Sequence, residues 1–106
     1  VLVNVGRKTG IEVEAALLGH PDVTEAAVIG VPDAVRGEVL EAFVVLRDGA
    51  VADPATAKAI QQWVKTHYAA HAFPRSVHFT QSLPKTPSGK IQRFLLKQRR
   101  AAELST

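Results

Sequence analysis

Runs of apolar residues along the chain predict the strands of the fold. Two of these runs are long and rich in β-branched residues, and they stop at Pro32-Asp33 and at Asp48-Gly49, where proline and glycine interrupt regular strand structure. A shorter run opens the chain and is followed by a predicted turn at residues 6–10. The predicted strands cover residues 1–5, 23–31, 39–46 and 77–80.

Three other segments predict helices. Val13 and Leu17 lie on one face of a predicted helix that ends near Gly19, and Pro54 is suited to the first turn of a second helix. Residues 94–103 are dominated by helix-forming residues and predict a third helix. The apolar face of the second helix is formed by Ile60, Trp63, Val64, His67 and Tyr68. We therefore predict an α+β fold, with a small sheet of about three strands flanked by helices. A short strand and turn begin this fold, and a loop and helix end it.

Length and composition are those of one small folded domain covering residues 1–106. The hydrophobic share is 46% and the charged share 22%, and no apolar run is long enough to span a membrane. The absence of cysteine excludes disulfides and thiolate chemistry and is compatible with the cytoplasm. The four histidines form no metal-ligand motif, so no metal site is expected in this chain.

The formal net charge is +3, and much of the excess lies in the last quarter of the chain. One interpretation is a solvated helix end with cations favourably placed near its C-terminus. The other is a nucleic-acid surface, but the cations are not interleaved with aromatic residues and match no standard nucleic-acid module. We therefore expect no nucleic-acid partner. The cations are Lys85, Lys90, Arg93, Lys97, Arg99 and Arg100.

The segment 83–93, Leu-Pro-Lys-Thr-Pro-Ser-Gly-Lys-Ile-Gln-Arg, carries the strongest chemical signal. Pro84 and Pro87 each fix φ and lack an N–H, so this segment is not expected to be helix or central strand. Gly89 allows a backbone conformation that a side chain disfavours and lets another surface approach closely. The segment is therefore predicted to be a stiff loop that presents Lys90 to an anion.

Three motifs in this order resemble the C-terminal domain of the AMP-forming acyl-CoA synthetases. They are Pro-Asp-Ala-Val-Arg-Gly-Glu at residues 32–38, Ala-Phe-Val-Val-Leu at residues 42–46, and the segment 83–93. The superfamily also contains firefly luciferase and the adenylation domains of peptide synthetases. The resemblance implies a mobile lid, inactive alone, that works with an N-terminal adenylation domain. It implies ATP, coenzyme A and Mg²⁺, bound mainly by that domain, and a small carboxylic acid that is adenylated and then transferred to CoA.

The resemblance also assigns roles to individual residues. Lys90 matches the lysine that assists adenylation, and acetylation of this lysine by an acetyltransferase, reversed by a deacetylase, would silence that step. Alignment on the Glu-Val-Glu of residues 12–14 places Gly6 and Arg7 in the loop that lines the pantetheine tunnel. Val5 then occupies the usual glycine position of that loop. Arg36 matches an arginine that contacts CoA phosphate, or it is a surface arginine paired with a neighbouring carboxylate.

Lys65 lies 25 residues before Lys90, a spacing at which a related protein carries a phosphate-binding arginine. The alternative is a solvated helix cation. Two further functions stay open at this point. One is an adenylation domain that acts on the phosphopantetheine of a carrier protein, and the other is a basic, non-catalytic binding module.

Overall fold

The computed structural model describes residues 2–35, 37–68 and 73–104 of the chain. These residues form an α+β fold with a small three-stranded sheet and helices on both of its faces, as the sequence predicts. No described helix has the length and apolar character needed to cross a bilayer. The elements are α1 (Leu2–Leu18), β1 (Val23–Asp33), β2 (Gly37–Leu46), α2 (Pro54–His67), β3 (Ser76–Phe79) and α3 (Arg93–Leu104).

The beginning of the chain differs from the prediction. Helix α1 starts at Leu2, so the predicted strand at residues 1–5 and the predicted turn at residues 6–10 are both wrong where the structure describes them. Among the described strands, none pairs with this segment. A helix satisfies backbone N–H and C=O groups within the segment itself, whereas a strand needs a partner. The predicted end near Gly19 is confirmed, since its N–H bonds to the Ala16 carbonyl at 3.2 Å.

The sheet has the order β1-β2-β3. β1 and β2 form an antiparallel pair, and β2 pairs with β3 in parallel. Parallel neighbours require a crossover connection, and α2 supplies it. The predicted strands 23–31, 39–46 and 77–80 are confirmed, with ends that move by up to two residues.

Helix α2 begins where the sequence predicts, at Pro54. The Asp53 side chain accepts a hydrogen bond from the Thr56 N–H at 2.8 Å, and this bond lowers the pKa of the Asp53 carboxyl. Proline at the first helical position costs no hydrogen bond because that N–H would be unpaired in any helix. The Asp-Pro pair therefore fixes the start of the crossover helix.

The sheet separates two apolar clusters. We call the side covered by α1 and α2 the helix face, and the side covered by α3 and residues 83–91 the hairpin face. Alternate residues of each strand point to opposite faces. The buried residues of the helix face are Val13, Leu17, Val23, Ala26, Val28, Ala42, Val44, Ile60 and Val64. Those of the hairpin face are Ala27, Ile29, Val31, Val45, Leu83 and Leu96.

Candidate active-site hairpin

Lys90 lies in a tight hairpin that precedes α3. The Thr86 N–H donates to the Lys90 carbonyl at 2.8 Å, and the Gly89 N–H donates to the Thr86 carbonyl at 2.9 Å. The Lys90 N–H donates to the Thr86 Oγ1 at 3.1 Å. Both backbone polar groups of Lys90 are therefore held by Thr86, which fixes the point from which the lysine side chain extends.

The sequence specifies the type of this hairpin. Pro87 and Ser88 are the central residues of the turn, and neither has a positive φ. Gly89 follows with φ +92°. This combination identifies a type I turn followed by a glycine in the left-handed region, the usual form of a three-residue hairpin loop. Proline suits the first central position and glycine the left-handed one, so the predicted stiff loop is confirmed as a hairpin.

Apolar and ionic contacts attach the hairpin to the sheet. Leu83 is buried in the hairpin-face cluster, and Ile91 packs against the same cluster. Lys85 pairs with Ile91 across the hairpin, and its ammonium forms an ion pair with Glu25 of β1. The hairpin therefore cannot shift relative to the sheet without breaking contacts on both of its arms.

The Lys90 side chain is exposed at the end of this fixed hairpin. Its ammonium forms no ion pair with any of the residues that the structure describes. A lysine offers three donors and a positive charge on a flexible stem, suited to carboxylate and phosphate oxygens. The arrangement combines a hydrogen-bonded main chain with an exposed ammonium that an external anion could reach.

A buried carboxylate lies at the edge of the sheet near the hairpin. Glu14 of α1 accepts a hydrogen bond from the Val28 N–H of β1 at 2.7 Å. The same carboxylate receives Nε of Arg93, the first residue of α3, at 2.6 Å and is also paired with Arg93 Nη2. The hydrogen bond to Glu14 raises the pKa of Arg93 despite partial burial of the guanidinium. Glu14 thus joins α1, β1 and α3, which belong to both faces of the sheet.

A second buried carboxylate lies farther along α3. Glu41 of β2 receives Arg100 Nε at 2.6 Å and contacts His78 Nε2 at 2.8 Å. Burial raises the pKa of Glu41, but the hydrogen bonds from Arg100 and His78 outweigh it, so the pKa lies below its usual value. Hydrogen bonds to Glu41 and Glu103 raise the pKa of Arg100. Two carboxylate–arginine pairs therefore attach the two halves of α3 to the rest of the domain.

The other predicted site residues are not gathered around Lys90. The Lys65 ammonium lies 4.1 Å from the centroid of the Phe73 ring, which packs on the helix-face cluster. Lys65 is therefore on the opposite side of the sheet from the hairpin. Gly6 and Arg7 lie in α1 and not in a loop, and only their backbone is described. Arg36 lies outside the described residues.

Sequence reasoning did not single out the two buried carboxylates. Glu41 carried a usable signal, since it is the one charged residue inside the apolar run 39–46, and a charge in such a run needs a partner. Glu14 carried little signal, because its partner Arg93 is 79 residues away along the chain. Pairing over that separation leaves no periodic pattern in the sequence.

The comparisons with known proteins agree with this architecture. Residues 12–90 match the family model of the AMP-binding enzyme C-terminal domain. The chain is 47% identical over 98 residues to acetyl-coenzyme A synthetase of Bacillus subtilis, covering 92% of this chain and 17% of that protein. The chain therefore spans about a sixth of the length of this relative.

Solved structures are also similar to this chain in sequence and in fold. An acyl-CoA synthetase of Brucella canis is 49% identical with a TM-score of 0.87, covering 90% of this chain and 18% of that one. The amide bond synthetase McbA of Marinactinospora thermotolerans is 40% identical with a TM-score of 0.76, covering 85% and 18%. The family match covers most of the chain and includes the hairpin up to Lys90. The chain belongs to the AMP-binding enzyme C-terminal domain family.

Proposed function

We propose that this chain is the C-terminal lid of an ATP-dependent acid:CoA ligase and that Lys90 assists the adenylation step. The proposal rests on how the hairpin holds and exposes Lys90. Its main chain is held by Thr86, and its ammonium is exposed without an ion-pair partner among the described residues. The similar acyl-CoA synthetases, in which the matching part is also a small fraction of the protein, support the placement of this chain within a larger enzyme.

The proposed first step needs a cation more than it needs covalent chemistry from the protein. A carboxylate oxygen attacks the α-phosphorus of ATP, the bond to the bridging oxygen breaks, and pyrophosphate leaves with that electron pair. The products are an acyl-adenylate and pyrophosphate. The Lys90 ammonium stabilises negative charge shared between the carboxylate and the α-phosphate oxygens as the new bond forms.

The proposed second step transfers the acyl group to the thiol of CoA, with loss of AMP. Gly6, Arg7, Arg36 and Lys65 are the residues we propose for CoA binding. The position of Lys65 on the helix face, opposite the Lys90 hairpin, supports a lid that presents different sides in the two steps. The helical backbone at Gly6 and Arg7 means that a pantetheine-lining loop would require this segment to change conformation.

The described residues do not form a site for Mg²⁺. Within the part of the chain that the structure describes, no group of three His, Cys, Asp or Glu side chains could hold a metal ion. Glu14 and Glu41, the two buried carboxylates, are already paired with arginines. We therefore assign Mg²⁺, with most of the ATP and acid contacts, to the proposed N-terminal domain, and we derive no step through it here.

Two further parts of the proposal concern setting and control. ATP and CoA are intracellular metabolites, and so we propose the cytoplasm as the compartment. The exposed Lys90 ammonium is accessible to a lysine acetyltransferase, and acetylation would remove the charge that adenylation requires.

The alternative functions differ in how well the structure supports them. An acceptor other than CoA stays a second candidate because the similar protein McbA is an amide bond synthetase. The carrier-protein thiol is one such acceptor, although the name of McbA does not favour a thiol in particular. The basic binding module has less support. Three of the six cations near the C-terminus are paired with carboxylates, which removes much of the charge that a nucleic-acid surface would use. The pairs are Lys85–Glu25, Arg93–Glu14 and Arg100–Glu41.

The test compares Lys90→Ala with Lys58→Ala in the complete enzyme. Lys58 is an exposed lysine of α2 on the helix face, so its removal changes the net charge equally. Loss of one preorganised donor should lower ATP–pyrophosphate exchange by roughly 10² to 10³. We expect Lys58→Ala to leave this exchange unchanged.

A second measurement separates the two steps. The Lys90→Ala enzyme, supplied with acyl-adenylate, should still form the thioester at close to the wild-type rate, because that step does not use Lys90. Exchange that persists in Lys90→Ala would refute the proposed role.

A further inference from the structure

We propose that Glu14 is a positioning residue for Lys90, acting through Arg93. This inference rests on the proposed function and extends it to a residue that does not touch the reacting groups. Glu14 lies in α1, whereas Lys90 lies in the hairpin on the opposite face of the sheet. The connection between them consists of one bidentate ion pair and two intervening residues.

The first link is the environment of the Glu14 carboxylate. Its side chain is only 10% exposed, and three donors reach it, one from the Val28 backbone and two from the Arg93 guanidinium. A planar guanidinium that binds both oxygens of a carboxylate is fixed in orientation as well as in distance. The position of Arg93 is therefore set by α1 and by the edge of β1.

The second link is the short segment between Arg93 and Lys90. Ile91 packs on the hairpin-face cluster, and the Gln92 N–H donates to the Pro84 carbonyl at 2.8 Å. Neither residue can absorb a shift of Arg93 without losing a contact. A displacement at the start of α3 should therefore move the base of the hairpin and the Lys90 ammonium with it.

The third link is the effect of such a movement on catalysis. Displacing a catalytic group by about 1 Å can lower a rate by about 10²-fold. Lys90 is held at its main chain but not at its side chain, so its alignment depends on the base of the hairpin. Glu14 thus influences adenylation without contacting ATP or the acid.

The chain contains a matched control for this proposal. Glu41 is also buried and also pairs through two bonds with an arginine of α3. Its partner, Arg100, is ten residues from Lys90, whereas Arg93 is three residues away. Glu14→Gln and Glu41→Gln remove the same charge from comparable environments, but only the first pair adjoins the hairpin.

The experiment measures both half-reactions in the complete enzyme for Glu14→Gln, Glu41→Gln and Lys90→Ala, together with thermal unfolding. We expect Glu14→Gln to lower the kcat of adenylation by on the order of 10- to 100-fold with little change in the KM for ATP. Thioester formation from supplied acyl-adenylate should stay near wild type. Glu41→Gln should lower the unfolding temperature without this selective loss.

The outcomes separate the inference from the proposed function. Equal effects of the two glutamine variants on both half-reactions would overturn the positioning role, as would unchanged adenylation in Glu14→Gln. If Lys90→Ala retains adenylation, it is the proposed function that fails.

If Glu14→Gln does not fold, Arg93→Lys replaces it. The Arg93 side chain is 45% exposed, and lysine keeps the charge but binds the carboxylate through one atom only. Adenylation that stays at the wild-type rate in this variant would also overturn the inference.

Discussion

The two faces of the sheet differ in what holds them together. The helix face is a continuous apolar cluster to which α1, α2 and all three strands contribute. The hairpin face has a smaller apolar cluster, and carboxylate–arginine pairs attach α3 at both of its halves. The exposed cation proposed for catalysis lies on this second face.

The two faces therefore contribute differently to the stability of the domain and to the position of Lys90. Burial of apolar surface is non-directional, so it favours a compact state without fixing the direction of any one group. A bidentate ion pair or a backbone hydrogen bond is directional and fixes orientation. We infer that the helix face mainly stabilises the domain, whereas the hairpin face determines where Lys90 lies.

The largest effects on stability should come from removing a buried leucine side chain on either face of the sheet. Leu17 of α1 is 0% exposed and packs in the helix-face cluster, so Leu17→Ala should lower the free energy of unfolding by about 2–5 kcal/mol. Leu96→Ala, on the hairpin face, should cost a similar amount, since Leu96 is 2% exposed. Denaturant titration measures both losses.

Activity should distinguish these two leucines. Below their unfolding temperatures, Leu96→Ala should lower adenylation relative to thioester formation, because Leu96 supports Leu83 and Ile91 at the arms of the hairpin. Leu17→Ala should leave that ratio unchanged. A selective loss in Leu17→Ala would contradict the separation of the two faces.

An intermediate effect is expected at Gly89. Its φ of +92° disfavours any side chain, although an added Cβ would meet no atom within 4 Å. Gly89→Ala should therefore lower the free energy of unfolding by about 1–2 kcal/mol through backbone strain alone, as measured by chemical denaturation. It should also reduce adenylation, because strain at Gly89 shifts the adjacent Lys90.

Gly49 supplies the control for this substitution. It has φ +91° and only an ordinary contact with the Arg47 side chain, and it lies in the turn after β2. Gly49→Ala should cost a similar amount of stability without a selective loss of adenylation. Equal adenylation rates in the two alanine variants would show that the backbone geometry of the hairpin does not affect adenylation.

The smallest effect is expected at Lys65. Since a single exposed ionic contact is worth up to about 1 kcal/mol, Lys65→Met should raise the KM for CoA by at most about five-fold. Adenylation should be unaffected, because Lys65 lies on the face opposite the hairpin. Lys58→Met is the control for loss of charge. An unchanged KM for CoA would favour an acceptor other than CoA.

Local signals in the sequence were enough to predict most of the fold. The Asp48-Gly49 stop marked the end of β2 and Pro54 marked the start of α2, whereas β1 continues through its predicted stop to Asp33. The hairpin was predictable as a stiff loop, because Pro87 fixes its own φ and Gly89 permits a positive φ that other residues disfavour. These features depend on neighbouring residues along the chain, which is why sequence alone revealed them.

The features that the sequence did not predict have a different physical origin. The apolar residues that open the chain are compatible with a strand or with a helix. A strand would need a neighbouring strand, and the sequence does not reveal that none of the described strands pairs with this segment. The Glu14–Arg93 pair closes a separation of 79 residues, and only the packed sheet brings its partners together. The loop that carries Lys90 was therefore predictable, but the ion pair that joins its base to α1 was not.

The edge of the sheet has a consequence for the behaviour of the domain in solution. β1 has no strand on its outer side among the described residues, and an exposed strand edge is a template for aggregation. The N–H of Val28 points outward from the edge and donates a hydrogen bond to the Glu14 carboxylate. Pro32, four residues later on the same side, has no N–H. Two positions of this edge are thus closed to strand addition. Joining of the β1 edge to the sheet of another copy is therefore disfavoured.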